Sequence, residues 1–260
     1  MSSQPVDNRP TQRFSSRVQD YVNHRPRYPQ AVISTLEHAC GLTADHLIAD
    51  VGSGTGFLSE VFLRNGNTVI GIEPNLEMRE AGEAYLANYP YFSSSDATAE
   101  FTRLPSASVD FVVAGQAWHW FEGPVAACEF KRILRPGGWI VLAWNARRLE
   151  TTAFLREYER VLCEFCPEYG VLNHQDQDQR TLTDAIGLPM HTANIPNSQL
   201  FDRAGFLGRV FSSSYTPEPG TSGYVPMRTA LIALFLRHAV DDLVSFEYDC
   251  MMYFAQAGKI

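Results

Sequence analysis

With 260 residues, 45% of them hydrophobic, the chain is long enough for one large domain with a buried core. A formal net charge of -8 leaves no basic field for a phosphate backbone, so nucleic acid is not an expected partner and a small molecule is favoured. No apolar stretch approaches bilayer-spanning length, the amino terminus lacks the apolar segment of a secretory signal, and the five cysteines are scattered; a reduced, cytoplasmic protein without an integral membrane segment is expected.

Residues 1–12 are polar and carry Pro5 and Pro10, the composition of a flexible tail before a single domain over 13–260. From Arg13 the pattern changes: Phe14, Val18, Tyr21 and Val22 recur at helical spacing, which predicts a cap helix within 13–28. Pro26 should end it, leaving Arg25-Pro26-Arg27-Tyr28-Pro29 as an extended connector. A helix from Gln30 to Cys40 follows, with Val32, Ile33, Leu36 and Ala39 inward and Gly41 as its stop. Leu47-Ile48-Ala49 reads as a buried parallel strand, Phe57 to Asn65 as a helix, and Thr68 to Ile72 as a second strand. The spacing then predicts a helix over Leu76 to Asn88, a short strand at Tyr91 to Ser93 and a buried strand at Val109 to Ala114. A helix from Gly123 to Leu134, a turn at Arg135 to Gly138 and a buried strand at Trp139 to Trp144 come next.

There the rhythm breaks. Residues 146–199, with a helix from Thr152 to Phe165 and a polar run around Gln175 to Arg180, are expected as an insertion over the carboxyl edge of the sheet, a substrate lid or a dimer-forming excursion. A sixth strand is expected at Arg209 to Tyr215, then a helix presenting Met227, Leu231, Leu234, Phe235 and His238 on one face. The last segment alternates from Val244 to Phe254 and reads as a long strand. Cys163 and Cys166 form a C-x-x-C pair with His174 and His191 downstream, but no second pair supports zinc, and no metal is expected.

The chemistry is concentrated in Asp50-Val51-Gly52-Ser53-Gly54-Thr55-Gly56, a strand end, a glycine turn and a helix start. Glycine lets the backbone enter turn angles barred to other residues and lets a ligand approach the amides, which suit an anionic group. A dinucleotide fingerprint would put Gly or Ala where Phe57 stands, and a phosphate loop would need a Lys that is absent. About twenty residues on, Glu73 ends the second strand, the place where nucleotide folds put the acid that grips a ribose diol. A ribose with a small carboxylate and no pyrophosphate is what S-adenosylmethionine offers.

DVGSGTG, GIEPN with Glu73, SSSDAT with Asp96, VDFVVAGQAWHWF and ILRPGGWIVLAWN resemble, in order, the motifs of class I S-adenosylmethionine-dependent methyltransferases of the broad small-molecule type. The resemblance implies an α/β fold: a doubly wound, Rossmann-like, seven-stranded and mostly parallel sheet whose last strand is antiparallel. It also implies a cofactor site of Asp50, Gly52, Ser53, Gly54, Gly56, Glu73, Pro74, Met78, Asp96, Ala97, Gly115 and Gln116. In that family Met78 would lie against adenine, Asp96 would accept from the adenine amino group and the Ala97 amide would donate to the ring; Asp96 read alone could equally cap a helix from Ala97 to Phe101. Tyr21, Arg25, Gln116 and His119 are the candidates at the reacting end, Arg25 as a carboxylate clamp and His119 as a general base or a structural histidine. Trp118, Trp120 and Phe121 could wall the site or merely pack a loop.

The (N/D)PP(Y/F) motif of base-directed amino methyltransferases is missing, which again favours a small metabolite. The RPxYP connector and the QAWHWF loop resemble the branch that includes trans-aconitate methyltransferases, which implies a carboxylate acceptor and in-line methyl transfer in a monomer or homodimer. The competing readings are a lipid-modifying enzyme like the cyclopropane fatty acid synthases, a nicotinamide oxidoreductase, and a protein that binds the cofactor without turnover.

Overall fold

The structure is a computed structural model that describes residues 25–167, 169, 178–213 and 215–258. The expected tail over 1–12, the cap helix up to residue 24, Tyr21 within it and His174 lie outside the described residues. Residues 25–29 form neither helix nor strand, consistent with the two prolines, so no helix reaches residue 28.

The first half of the chain alternates helix and strand. Ala31–Cys40 (α1) leads to Leu47–Val51 (β1), Phe57–Arg64 (α2), Thr68–Ile72 (β2), Leu76–Tyr85 (α3) and Phe92–Ser95 (β3). Val109–Gly115 (β4), Gly123–Ile133 (α4) and Leu134–Arg147 (β5) follow. Gly41 closes α1 in the left-handed conformation, and the Asn75 side chain opens α3 by accepting from the Met78 amide at 3.0 Å. The expected Arg135–Gly138 turn survives inside β5 as an irregularity: Val109 pairs with Leu134 but Phe111 pairs with Trp139, and Gly137 takes a positive φ.

The second half departs from expectation. After Ala153–Phe165 (α5) and Gln179–Ile186 (α6), the sixth strand is His191–Phe201 (β6), not Arg209 to Tyr215. The latter stretch begins inside a helix, Arg203–Phe211 (α7), because Asp202 caps it by accepting from the Gly205 amide at 2.7 Å. Residues 191–199, expected in the insertion, therefore belong to the sheet. Pro196 is tolerated there because β6 is an edge strand, where a missing N–H costs no ladder bond. Tyr224–His238 (α8) and Val244–Gln256 (β7) complete the chain.

The seven strands lie in the order β3-β2-β1-β4-β5-β7-β6, with β1 to β5 parallel and β7 inserted antiparallel between β5 and β6. Apolar side chains bury both faces. Trp118, Ala126, Phe130, Ile133 and Leu182 cover one, bringing in α4 and α6; Val32, Leu36, Leu58 and Phe62 of α1 and α2 cover the other. Strands covered on both sides read as continuous apolar runs, which is why β1 and β4 are plain in the sequence.

The ends of β6 and β7 outrun the rest of the sheet. On that extension α5, α7 and α8 build a separate aromatic core from Phe154, Tyr158, Phe201, Phe206, Phe235, Phe246 and Tyr248. This helical cap rises beyond the last residue of β5, Arg147, which pairs with Tyr248. It stands beside the carboxyl edge of the parallel strands, where open α/β sheets take their ligands.

Candidate functional site

The glycine turn leaves β1 and is tied to β2 before it reaches α2. The amides of Gly52 and Ser53 donate to the Ile72 carbonyl at 2.8 and 3.1 Å, and the Gly56 amide returns to the Ser53 carbonyl at 2.8 Å. Gly52 has φ +68, and a Cβ on it would come within 2.6 Å of the Ala117 Cβ and 3.0 Å of the Phe121 ring. The turn is thus pressed against the loop that follows β4, and only glycine fits.

Two acids meet this turn. The Glu73 carboxylate accepts the Gly54 amide at one oxygen and the Asn75 amide at the other, both at 2.9 Å. Each oxygen keeps a further lone pair, enough for a diol. Burial raises its pKa against the two amide bonds and the nearby Arg79. Asp50 is fully buried behind the turn, and desolvation lifts its carboxyl to about 7 although Ser59 donates to it at 2.6 Å. Its second oxygen, Oδ1, has no hydrogen-bond partner.

The remaining cofactor candidates fall around the same crevice. The Met78 side chain is buried against Gly54, its methyl 3.3 Å from where a Cβ would stand. Arg79 links the next two: it donates to the Glu73 carbonyl at 2.8 Å and lies 3.6 Å from Asp96. Asp96 is 64% exposed, Ala97 is buried, and residues 97–101 are irregular, so Asp96 caps no helix. Pro74 is exposed at the turn between β2 and α3.

At the end of β4 the backbone is strained. Gln116 takes φ +57, uncommon for a residue with a side chain, while its amide donates to the Ala143 carbonyl at 2.9 Å and its side chain to the Asn145 carbonyl at 3.3 Å. Gly115 before it leaves room for Tyr28, whose hydroxyl oxygen lies 2.5 Å from where a Cβ would stand. Trp118 is core, edge-on to Phe121 and Phe130, and Phe121 packs on Gly52; neither is a free wall. His119 stays solvent-accessible beside Trp120, with ring centroids 4.7 Å apart, and crowding by the loop pushes its imidazole below the usual range.

The connector before α1 is strapped over this edge. Asn197 of β6 donates to the Arg27 carbonyl at 2.8 Å and to the Asn145 side chain at 2.9 Å; Gln199 donates to the Arg25 carbonyl at 3.4 Å. The Arg27 guanidinium lies 3.6 Å over the ring of Phe57, the first residue of α2, and 4.6 Å from that of Tyr85. The Arg25 backbone is thus tied to the edge strand β6. Arg27, Asn145 and Asn197 join this strap in addition; the RPRYP segment signalled Arg27, whereas nothing in the sequence pattern signalled Asn145 or Asn197.

Among the described residues, no group of three or more metal-binding side chains gathers and no helix is long and apolar enough to cross a membrane. Cys163 is exposed, while Cys166 is buried beside Met227.

The strand order, with β7 antiparallel beside β5 and a glycine turn bonded to Glu73 at the carboxyl edge of the parallel strands, defines a Rossmann-like α/β fold. Residues 49–142 match the protein family described as a methyltransferase domain. An uncharacterised methyltransferase of Mycobacterium bovis is 36% identical over 149 residues, 57% of this chain and 58% of that protein. A Dictyostelium discoideum protein assigned as a methyltransferase is 34% identical over 140 residues, 54% of this chain and 51% of its own. The chain therefore spans little more than half the length of these relatives. A solved structure from Anaeromyxobacter dehalogenans, assigned to the type II methyltransferases, superposes with TM-score 0.67 at 21% identity, over 91% of this chain and 99% of that one. That likeness extends the common fold beyond the matched core to the β6–β7 end.

Proposed function

We propose that the protein transfers a methyl group from S-adenosylmethionine to a small-molecule acceptor. The observation that carries this reading is the bond between the Glu73 carboxylate and the Gly54 amide, which makes one cradle of the ribose acid and the glycine turn. The residues present fit the cofactor. A side chain at Gly52 would meet Ala117 and Phe121 and push the turn off the loop after β4, and the orphaned Asp50 Oδ1 behind the turn suits an amino donor.

In this reading Glu73 takes the ribose hydroxyls, Met78, Asp96 and Ala97 border the adenine, and Asp50 with Gly52 to Gly56, Gly115 and Gln116 border the amino-acid end. When bound, the cofactor supplies an electrophilic methyl. The chain's own task is to hold a nucleophile in line with it and exclude water, effects worth several kcal/mol. Gln116, held by Asn145, positions the acceptor. His119, neutral near pH 7 because its pKa is lowered, can take a proton from an acceptor that carries one. A carboxylate acceptor, ionised at that pH, needs a cationic clamp instead, a role we assign to Arg25 in the strap.

The test is incubation with labelled cofactor and pooled small metabolites, alongside titration with S-adenosylhomocysteine and NADH. Methyl transfer to a soluble acceptor and preference for S-adenosylhomocysteine are expected. Preference for NADH ends the reading, and cofactor binding without transfer to any acceptor converts it to a sensor.

A further inference from the structure

The helical cap encloses two arginines that the cofactor site does not use. Arg209 of α7 is 7% exposed, gives Nη1 to the Ser213 hydroxyl at 3.5 Å, lies against the Tyr248 hydroxyl, and leaves its Nε without a hydrogen-bond partner. It has no ion pair among the described residues. Arg147, the last residue of β5, gives Nη2 to Glu159 at 2.5 Å and to the Tyr169 hydroxyl at 2.7 Å, and leaves Nη1 buried without a partner. Its guanidinium lies 4.8 Å from the ring centroid of Tyr158. Tyr158 is within electrostatic reach of both arginines and of Tyr215 and Tyr248, and the Tyr248 hydroxyl is buried without a partner.

Such an arrangement is costly for a purely structural core. A guanidinium is charged at any working pH, and burying it unpaired costs several kcal/mol that an apolar side chain of similar size would avoid. Among the described residues, two guanidinium groups face the single carboxylate of Glu159, which leaves one positive charge to be matched. The unpartnered donors, two arginine nitrogens and a tyrosine hydroxyl, suit a planar oxyanion bearing one negative charge, which is a carboxylate rather than a phosphate dianion.

Position supports a role in the same site. Arg147 follows Asn145 by two residues, which puts it on the same face of β5 and about 7 Å further along the strand. Asn145 is the residue that holds Gln116. Tyr248 and Asn197 stand in the same row across β7 and β6, and Asn197 anchors the strap at Arg27.

We propose that Arg147 and Arg209, with Tyr248, form an anchoring subsite in the cap that binds a carboxylate of the methyl acceptor, placing the rest of that molecule beside Gln116. This rests on the methyltransferase reading. The subsite recognises the acceptor rather than reacting with it: a carboxylate held by two guanidinium groups is a weakened nucleophile, so another atom of the acceptor receives the methyl.

The full chain, saturated with S-adenosylhomocysteine, is titrated calorimetrically with acetate, benzoate and succinate, each against its neutral amide. At least one carboxylate is expected to bind more tightly than its amide, and Arg209→Met and Arg147→Gln are each expected to weaken it tenfold or more while S-adenosylhomocysteine affinity holds. Arg209→Met should also melt at or above the wild-type temperature, since an unpaired buried charge is removed; a lower melting temperature marks Arg209 as scaffold and overturns its part. No preference for any carboxylate over its amide, or a preference that survives in both variants, overturns the subsite. Loss of S-adenosylhomocysteine binding by the unmodified protein would instead sink the methyltransferase reading, so the two failures are distinct.

Discussion

Glu73 and Gly54 are joined directly: a carboxylate oxygen at the end of β2 accepts the glycine amide of the turn after β1 at 2.9 Å. The acid therefore shapes the turn as well as offering lone pairs to a ligand. Glu73→Gln replaces one acceptor oxygen by a donor, so either the Gly54 or the Asn75 amide meets an N–H instead of a lone pair. A hydrogen bond to a charged group is worth about 1.5–3 kcal/mol, and each 1.4 kcal/mol is tenfold in affinity. Glu73→Gln should bind S-adenosylhomocysteine roughly 10- to 100-fold more weakly by calorimetry. Unchanged affinity would detach this acid from the nucleoside.

The turn itself can be tested by adding one carbon at a time. Gly52→Ala puts a Cβ 2.6 Å from that of Ala117 at φ +68, and neither partner is the far end of a flexible chain. Left-handed strain and overpacking together cost about 2–5 kcal/mol. Gly54→Ala shares the positive φ but meets only the Met78 methyl at 3.3 Å, which can swing away. The expected order of melting temperatures is wild type, Gly54→Ala, then Gly52→Ala, each kcal/mol appearing as roughly 2–4 °C. The reverse order would show that the β4 loop does not bear on the turn.

Asp50 makes stability depend on pH. Its folded pKa, raised to about 7 by burial, stands above the ordinary 3.8, so between those values the folded chain holds a proton the unfolded chain has lost. The contribution is complete below the unfolded pKa and fades as pH rises through 7. Glu129 acts oppositely: the Arg132 hydrogen bond holds its carboxyl near 2, and its contribution is lost only in strong acid. Thermal melts of Asp50→Asn, which cannot ionise, should match wild type near pH 3, pull above it as pH rises through 5, and stand furthest above it at pH 8. Parallel pH profiles for the two chains would mean that Asp50 is ionised throughout.

The parallel half of the fold was legible because strands buried on both faces write themselves as apolar runs, and the glycine turn with Glu73 at its fixed distance named the cofactor. The β6 edge was not. From His191 to Phe201 the residues alternate between exposed and half-buried, contain Pro196 and are mostly polar, so their strand character comes from eleven paired positions on β7 rather than from their own pattern. Arg209 misled in the other direction: beside Val210 and Phe211 it suggested a strand, whereas the cap supplied by Asp202 starts a helix. The cap arginines carried no signal either, because Arg147 and Arg209 lie 62 positions apart and meet only through the tyrosines of α5 and β7. Asp96 illustrates a third limit. Local sequence offered it as a helix cap, but residues 97–101 form no helix and the side chain faces solvent near Arg79.

Asn197 separates the strap from the cofactor cradle. Its side-chain N–H groups reach the Arg27 carbonyl and the Asn145 side chain at 2.8 and 2.9 Å, tying the connector before α1 to the edge strand and, through Asn145, to Gln116. Asn197→Ala removes these two donated hydrogen bonds at a half-buried site, each worth about 0.5–1.5 kcal/mol, together with the one its Oδ1 accepts from the Ser198 amide. Asn197→Asp should be worse than Ala, because a carboxylate presents only acceptors to two oxygens that need donors. Hydrogen exchange should quicken across residues 25–29 in the order wild type, Ala, Asp, and the KM for the methyl acceptor should climb in the same order. S-adenosylhomocysteine affinity should stay constant, since Glu73 and the glycine turn lie on the far side of β4. An Asp variant as protected as wild type would show that the strap is held by its own packing, with Arg27 over Phe57 as the stronger anchor.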